Sequence, residues 1–235
     1  MSLQRPADLA RTRLALSRSV HFRALGPVAL DRLASLATLR NAASGEHLSA
    51  DNQQLWIVVD GAVRLTANLA CRRQVHAVIG RGSYFGLASA LGYGAFTLQA
   101  DAACPTELAV VDGARLRSIL QVYPRLWRYV AALAYSRLRL TLSLMEDNRM
   151  RPLTERIVRR LLGHALSYAI LEGDRPELRM TQADLGGMVN AGRSRTNGAL
   201  KRLASDGLIY AGYRTITLLD LPRLRQLAGG PVEAF

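Results

Sequence analysis

Between Thr181 and Ile209 the chain reads TQADLGGMVNAGRSRTNGALKRLASDGLI, and the residues able to do chemistry there are polar groups on one helix face. Counted at 100° per residue, Arg193, Ser194, Asn197, Gly198 and Lys201 share that face, with Arg195 beside them in sequence. Thr196, Ala199, Leu200 and Leu203 fall within the opposite, apolar third. Guanidinium, ammonium, amide and hydroxyl groups so displayed can meet the phosphates and base edges of a DNA major groove. The competing reading is a helical hairpin whose basic face is merely solvated.

The elements that must position this face are legible on either side. Thr181 and Asp184 have the spacing of a capping box, in which a hydroxyl and a carboxylate satisfy free amides at a helix start. Leu185, Met188 and Val189 give that first helix a buried stripe. Asn190-Ala191-Gly192 predicts a tight turn, and Asp206-Gly207 predicts the end of the second helix. Leu208–Tyr210 and Thr215–Leu218 are β-prone runs separated by Ala211–Arg214, the pattern of a wing. Thr181 and Arg214 join the candidate DNA-contacting set, Arg214 as a phosphate contact.

These residues carry a resemblance to the cyclic-AMP receptor protein and fumarate-nitrate reduction regulator (CRP/FNR) family of bacterial transcription factors. The family pattern T-x-x-D/E-L/I-A/G-x-x-V-G-x-S-R-E-T-V-x-R-x-L-x-x-L is tracked without gaps from Thr181 to Leu203. The resemblance implies base reading by a recognition helix, with Arg193 matching the first family arginine. Ser194 stands where a cytosine-accepting Glu is usual, and Gly198 where a guanine-reading Arg is usual. It therefore implies DNA binding but not the family's typical operator, with Asn197, Arg195 and Lys201 as the available substitutes.

The 235 residues allow two modest domains, and a net charge of +13 calls for a polyanionic partner or a membrane surface. Of 31 basic residues only Lys201 is lysine, a bias that genome base composition explains as well as function does. Arg5, Arg11, Arg13, Arg18 and Arg23 crowd the N-terminus, as an extra DNA-contacting arm or as a solvated first helix. No run reaches the ~20 apolar residues needed to span a bilayer, and Cys71 and Cys104 make no secreted disulfide framework. The cytoplasm is the expected compartment.

The N-terminal half reads as short strands at Leu55–Val59, Ala62–Thr66, Val75–Ile79, Phe96–Ala102 and Glu107–Val111, the series of a small barrel or jelly roll. Asp60-Gly61 predicts a hairpin between the first two. Leu30–Leu36 has helical spacing ahead of them. The family resemblance continues more weakly here, through Leu25-Gly26-Pro27, Asp31-Arg32-Leu33, Gly45-Glu46 and Gly80–Gly86.

In cyclic-nucleotide-binding members of the family, G-x-x-F/I-G-E precedes R-S/T-A; the Glu holds the ribose and the Arg neutralises the cyclic phosphate. Here Gly82-Ser83-Tyr84-Phe85-Gly86 is followed by Leu87 in place of that Glu, and Phe96-Thr97-Leu98 occupies the other slot. A phosphate buried against Phe96 and Leu87 without a cation would cost several kcal/mol. The resemblance thus implies a degenerate effector pocket at Gly82, Gly86, Leu87, Phe96 and Thr97 that does not take cyclic AMP in the family manner. It is either collapsed on aromatic side chains, Tyr84, Tyr93 and Phe96 among them, or adapted to a more apolar ligand.

Two cysteines cannot supply the roughly four thiolates of an iron–sulfur cluster. Gly86 and Ala88 offer no haem ligand, and His21, His47, His76 and His164 lack metal-ligand spacing. No cofactor and no metal are expected. A Cys71–Cys104 redox pair stays open, because sequence does not place the two within bridging range.

From Pro124 to Arg151 the chain lacks Gly, and Leu126, Val130, Leu133, Leu140 and Leu144 recur at three-, four- or seven-residue steps, interrupted by Arg137. A long helix with a narrow apolar seam predicts a partner helix or packing on its own β-roll; in the family the helix forms a two-fold dimer. Pro152 marks a hinge, after which Leu153, Ile157, Leu161 and Ala165 form an amphipathic helix. Its other face carries Arg156, Arg159 and Arg160, for phosphates or solvent.

The expected architecture is α+β. A cyclic-nucleotide-binding-type β-roll (jelly roll) fills 1–123, a long dimerisation helix 124–151, and a winged helix-turn-helix 152–235. The expected partners are double-stranded DNA with a two-fold related operator, a second copy of the chain, RNA polymerase as a candidate, and an effector of unknown identity. A ligand sensor whose DNA-binding half has become a protein-docking surface is the alternative. No nucleophile–base set, metal cluster or phosphate loop points to an enzyme.

Overall fold

The computed structural model describes residues 6–22, 25–48, 53–69, 72–94, 98–168 and 175–232. Helices α1 (Pro6–Arg18) and α2 (Pro27–Leu36) lead into β1 (Ala37–Ala42), β2 (His47–Leu48), β3 (Gln54–Asp60), β4 (Ala62–Leu69), β5 (Arg72–Gly80) and β6 (Tyr84–Phe85). One-turn α3 (Leu87–Ala90), β7 (Gln99–Ala102), β8 (Thr106–Asp112) and α4 (Gly113–Val122) follow, then a 3-10 turn (Pro124–Leu126) and the long α5 (Trp127–Met150). The remainder is α6 (Leu153–Tyr168), β9 (Glu177–Arg179), α7 (Gln182–Met188), α8 (Arg193–Ser205), β10 (Ile209–Gly212), β11 (Thr215–Leu218) and α9 (Leu221–Leu227).

Two four-stranded antiparallel sheets, ordered β1-β8-β3-β6 and β2-β7-β4-β5, form the expected roll. The apolar run of β3 is buried on both faces. Trp56 and Val58 point between the sheets with Leu65, Ile79 and Leu108, while Leu55, Ile57 and Val59 pack under the helices with Leu16, Phe22 and Leu116. Asp60-Gly61 is not a hairpin. β3 pairs with β8 and β6, whereas β4 pairs with β5 and β7, so the chain crosses between sheets at this point. Gly61 makes the crossing at φ +86°, where a Cβ would sit 2.6 Å from the Pro105 carbonyl oxygen.

The first helix is more than a solvated one. Ala15 and Leu16 of α1 are buried in the layer over the roll. Arg11 pairs with Glu107 at 2.8 Å and Arg13 with Asp31, both arginines staying largely exposed. Arg5 and Arg23 lie outside the described residues.

The stripe expected to make the dimer faces home. Leu126, Val130 and Leu133 pack against the helical layer of the roll, and Leu133 and Leu140 are buried within the chain itself. Leu140 and Leu144 border a cavity between α5 and the roll. Four exposed apolar side chains of α5 form a second set, Tyr135, Leu138, Leu142 and Met145, at 62, 54, 50 and 55% exposure. Their steps of three, four and three residues give them the period of a coiled-coil seam.

The helix break at 151–152 is bound by charge. Asp147, buried near the end of α5, accepts from Arg151 Nε at 3.0 Å and from Arg159 Nε at 2.8 Å, and Arg159 also donates to the Ala228 carbonyl after α9. Arg159 and Arg160, read from the sequence as groups for phosphate or solvent, are both buried. Burial pulls the Arg160 guanidinium down to about 10, against the attraction of Asp147. Among the described residues no helix is long and apolar enough to cross a membrane.

Candidate nucleic-acid interface

The first helix of the C-terminal unit is closed as its residues require. Thr181 Oγ1 accepts from the Asp184 amide at 3.0 Å and Asp184 Oδ2 from the Thr181 amide at 3.0 Å, a complete capping box on α7. The turn to α8 uses Asn190 at φ +50°, while Gly192, the N-cap of α8, lies at φ −65°. Gly186 lets the two helices meet: a Cβ there would sit 3.1 Å from both the Ala191 carbonyl oxygen and Thr196 Oγ1. Gly207 ends α8 at φ +71°, and the wing strands β10 and β11 follow with β9 as a third strand.

On α8, Thr196, Ala199, Leu200 and Leu203 are buried and hold the helix to its domain. Arg193, Ser194, Arg195, Gly198 and Lys201 are exposed, and Arg202 extends the basic surface. Among the described residues no carboxylate pairs with these four cations. Asn197 is half-buried with its Oδ1 enclosed and without a hydrogen bond, so it sits at the edge of the exposed face. Thr181 is committed to its cap. Arg214, exposed in the wing turn at φ +56°, also donates from Nη2 to the Ala103 carbonyl of the roll at 3.1 Å. Tyr213, which sequence reading passed over, stands at the wing tip at 90% exposure.

The helix-turn-helix is docked on the roll. Arg64 of β4 reaches Asp184 with Nε at 2.6 Å from Oδ1 and Nη2 at 2.9 Å from Oδ2, a bidentate pair. Burial pushes the Asp184 carboxyl up, but the bonds from Arg64 and Thr181 outweigh it and hold the group below the usual carboxylate range. Val75 of β5 presses on Gly187, where a Cβ would lie 3.0 Å from the valine Cβ. Ala62, Val78 and Ala103 of the roll share one apolar cluster with Leu161, Leu185 and Leu200. No local motif announces Arg64.

A cavity of about 750 Å³ lies between the roll and α5. Among the described residues the space expected for the effector pocket is open. Tyr84 forms part of its wall, with its hydroxyl donating to the Leu133 carbonyl at 3.0 Å, and Tyr93 is 74% exposed. Gly86 and Leu87 border the cavity, whereas Gly82 packs on Ser19, where a Cβ would lie 3.2 Å from the serine Cα. Phe96 and Thr97 lie outside the described residues. Arg137, visible in the sequence only as an interruption of a stripe, borders the cavity and donates from Nη2 to the Tyr84 carbonyl at 3.1 Å.

His76 also borders the cavity; though exposed, it is partly desolvated, which lowers its pKa, and the Arg160 and Arg137 charges add to the effect. Among the described residues no group of His, Cys, Asp and Glu is placed to hold a metal. Cys104 is half-buried with a free thiol, and Cys71 lies outside the described residues.

Comparison with known proteins agrees with both halves. The Crp-like helix-turn-helix domain family matches residues 155–227, and the cyclic nucleotide-binding domain family matches residues 40–123. The cyclic AMP receptor protein of Thermus thermophilus is 26% identical over 179 residues, covering 76% of this chain and 81% of that protein. The cAMP-activated global transcriptional regulator CRP of Pasteurella multocida is 25% identical over 175 residues, covering 73% and 84%. Among solved structures, FixK2 of Bradyrhizobium japonicum superposes with a TM-score of 0.73 at 25% identity, covering 83% of this chain and 99% of that one. A nucleotide-binding-type roll joined to a docked, basic-faced helix-turn-helix therefore places this chain in the CRP/FNR family of transcription regulators.

Proposed function

We propose that the chain is a homodimeric regulator that recognises a two-fold related operator through α8 and does not respond to cyclic AMP in the family manner. The observation that carries this reading is the face of α8: Arg193, Ser194, Arg195 and Lys201 exposed, backed by buried Thr196, Ala199, Leu200 and Leu203. Arg193 reads a base edge in this scheme, while Lys201 and Arg195 act on phosphates or substitute for the missing family side chains. The dimer reading is supported by the exposed 135–138–142–145 seam, which has the spacing to pair with a copy of itself. The cyclic AMP reading is supported by Leu87 on the cavity wall, where the family's ribose-binding carboxylate would stand.

The test is selection of bound duplexes from a random pool by the purified chain without ligand. The expected outcome is a palindromic site whose half-sites lie one helical turn, about 10 bp, or a multiple apart. Recovery of sequences no more enriched than the starting pool would overturn the assignment. Melting in the presence of cyclic AMP is expected to be unchanged; a clear rise sinks the effector part alone.

A further inference from the structure

The cavity between the roll and α5 has a chemistry of its own. Leu65, Leu91, Leu98, Leu140 and Leu144 are among its walls, with Trp127 at its edge, and among the described residues no Asp or Glu borders it. Its volume of about 750 Å³ lies within the range of small-molecule sites, about 300–1,000 Å³. Among the described residues, the single permanent charge on its lining is Arg137. That guanidinium is half-buried, lies 5.0 Å from the Tyr84 ring centroid, and donates to the Tyr84 carbonyl. Among the described residues no carboxylate pairs with it. An arginine has five donors, and the bond to Tyr84 leaves most of them to serve an incoming acceptor. His76, exposed but partly desolvated, its imidazole biased to the neutral form by that desolvation and by Arg160 and Arg137, adds a polar group at the same wall.

We infer that this cavity binds an apolar monocarboxylate, an acyl chain or aromatic body in the leucine-lined space with its carboxylate on Arg137. Charge complementarity sets the class. One cation without an acid partner accepts one anion, and the remaining wall rejects a polyhydroxylated or polyanionic body because its polar groups would be buried unpaired. Bidentate pairing of Arg137 with a carboxylate gives direction as well as affinity. The bound molecule would touch β-roll residues Leu65 and Leu87 and α5 residues Arg137 and Leu140 at once.

The inference does not depend on DNA recognition, so its test is read without DNA. Decanoate and 4-phenylbutyrate are titrated into the full chain, with decanol and cyclic AMP as comparators, following tryptophan fluorescence and the melting midpoint. Trp127 borders the cavity and should report occupancy directly. Each carboxylate is expected to raise the midpoint by about 5–10 °C at a hundredfold excess over its Kd, with decanol much weaker. Arg137→Gln is expected to cut carboxylate affinity about tenfold or more while leaving decanol unchanged.

Because Arg137 also bonds Tyr84, a second variant guards against misfolding: Ala134→Trp, at an exposed position bordering the cavity, should fill the space and abolish binding in a folded protein. Equal binding of decanol and decanoate, or a carboxylate affinity indifferent to Arg137→Gln, overturns the assignment of the anion. Stronger binding of cyclic AMP than of either acid, or no response to any probe, overturns the site as assigned here. So does Ala134→Trp altering only the oligomeric state, which would give the cavity to a second copy of the chain.

Discussion

Arg64 on β4 and Asp184 in the first turn of α7 stand 120 residues apart in sequence and meet through two bonds of 2.6 and 2.9 Å. The same aspartate closes the capping box, so one carboxylate both starts the helix-turn-helix and fastens it to the roll. Asp184 is buried, with Arg64 the more accessible partner at 20% side-chain exposure. Arg64→Ala would leave the carboxylate buried on its two bonds with Thr181. A loss of about 3 kcal/mol is expected, the low end for one broken partner of a buried pair, visible as a melting midpoint lower by about 6–12 °C. The double variant with Asp184→Asn should recover part of it; strict additivity of the two would show that the pair is not coupled.

Recognition by α8 has two separable signatures. Arg193→Ala should cost about 1–3 kcal/mol on the selected operator and relax base choice at one position per half-site. Lys201→Ala should weaken all sequences alike and lower the salt slope by about one. Titrations at several salt concentrations on specific and scrambled duplexes check both. Arg193→Ala binding every duplex as its parent does would remove Arg193 from base reading.

The two stripes of α5 make opposite predictions. Leu138→Arg, on the exposed seam, is expected to shift the chain to monomer in sedimentation while leaving the fold intact. Leu133→Ala, within the roll's own layer, is expected to destabilise by about 2–5 kcal/mol without changing the oligomeric state. The reverse pattern would return the dimer to the inner stripe.

Acid should unfold the chain partly through His164. Complete burial, with the Arg160 charge added, pulls its pKa from 6.5 to about 3, so the folded protein refuses a proton that the unfolded chain accepts. The stability this contributes is whole above pH 6.5 and is lost as pH falls toward 3, by about 1.4 kcal/mol per unit. His164→Gln should flatten denaturation midpoints between pH 6.5 and 5 relative to the parent. Identical slopes would exclude the residue as the source.

What was legible in the sequence was mostly local. The capping box, the stop at Gly207, the wing and the buried set of α8 follow from spacing within one or two turns of chain, and each is found in the structure. β1 was missed because ATLRNA has no alternating pattern; it is held by its backbone ladder to β8. Asp60-Gly61 has hairpin chemistry, yet the strands beside it part into different sheets. The inner stripe of α5 packs on the roll rather than facing outward as its period alone suggests, because two stripes share one period and only the folded roll distinguishes them. Arg159 and Arg160 looked like surface charge until α5 and the end of α9 closed over them. Arg64 and Arg137 were invisible as site residues for the same reason: their meaning lies in groups far away along the chain.

The shared carboxylate of Asp147 has a mechanical corollary. With Arg159 gripping it beneath the surface and Arg151 from the rim, a swivel of the shaft of α5 against the blade of α6 at Pro152 would strand a charge away from water. A displacement of α5 would therefore be expected to carry α6 with it. The Arg64–Asp184 pair, with the arginine at 20% exposure, is a second and separate tether of that unit to the roll.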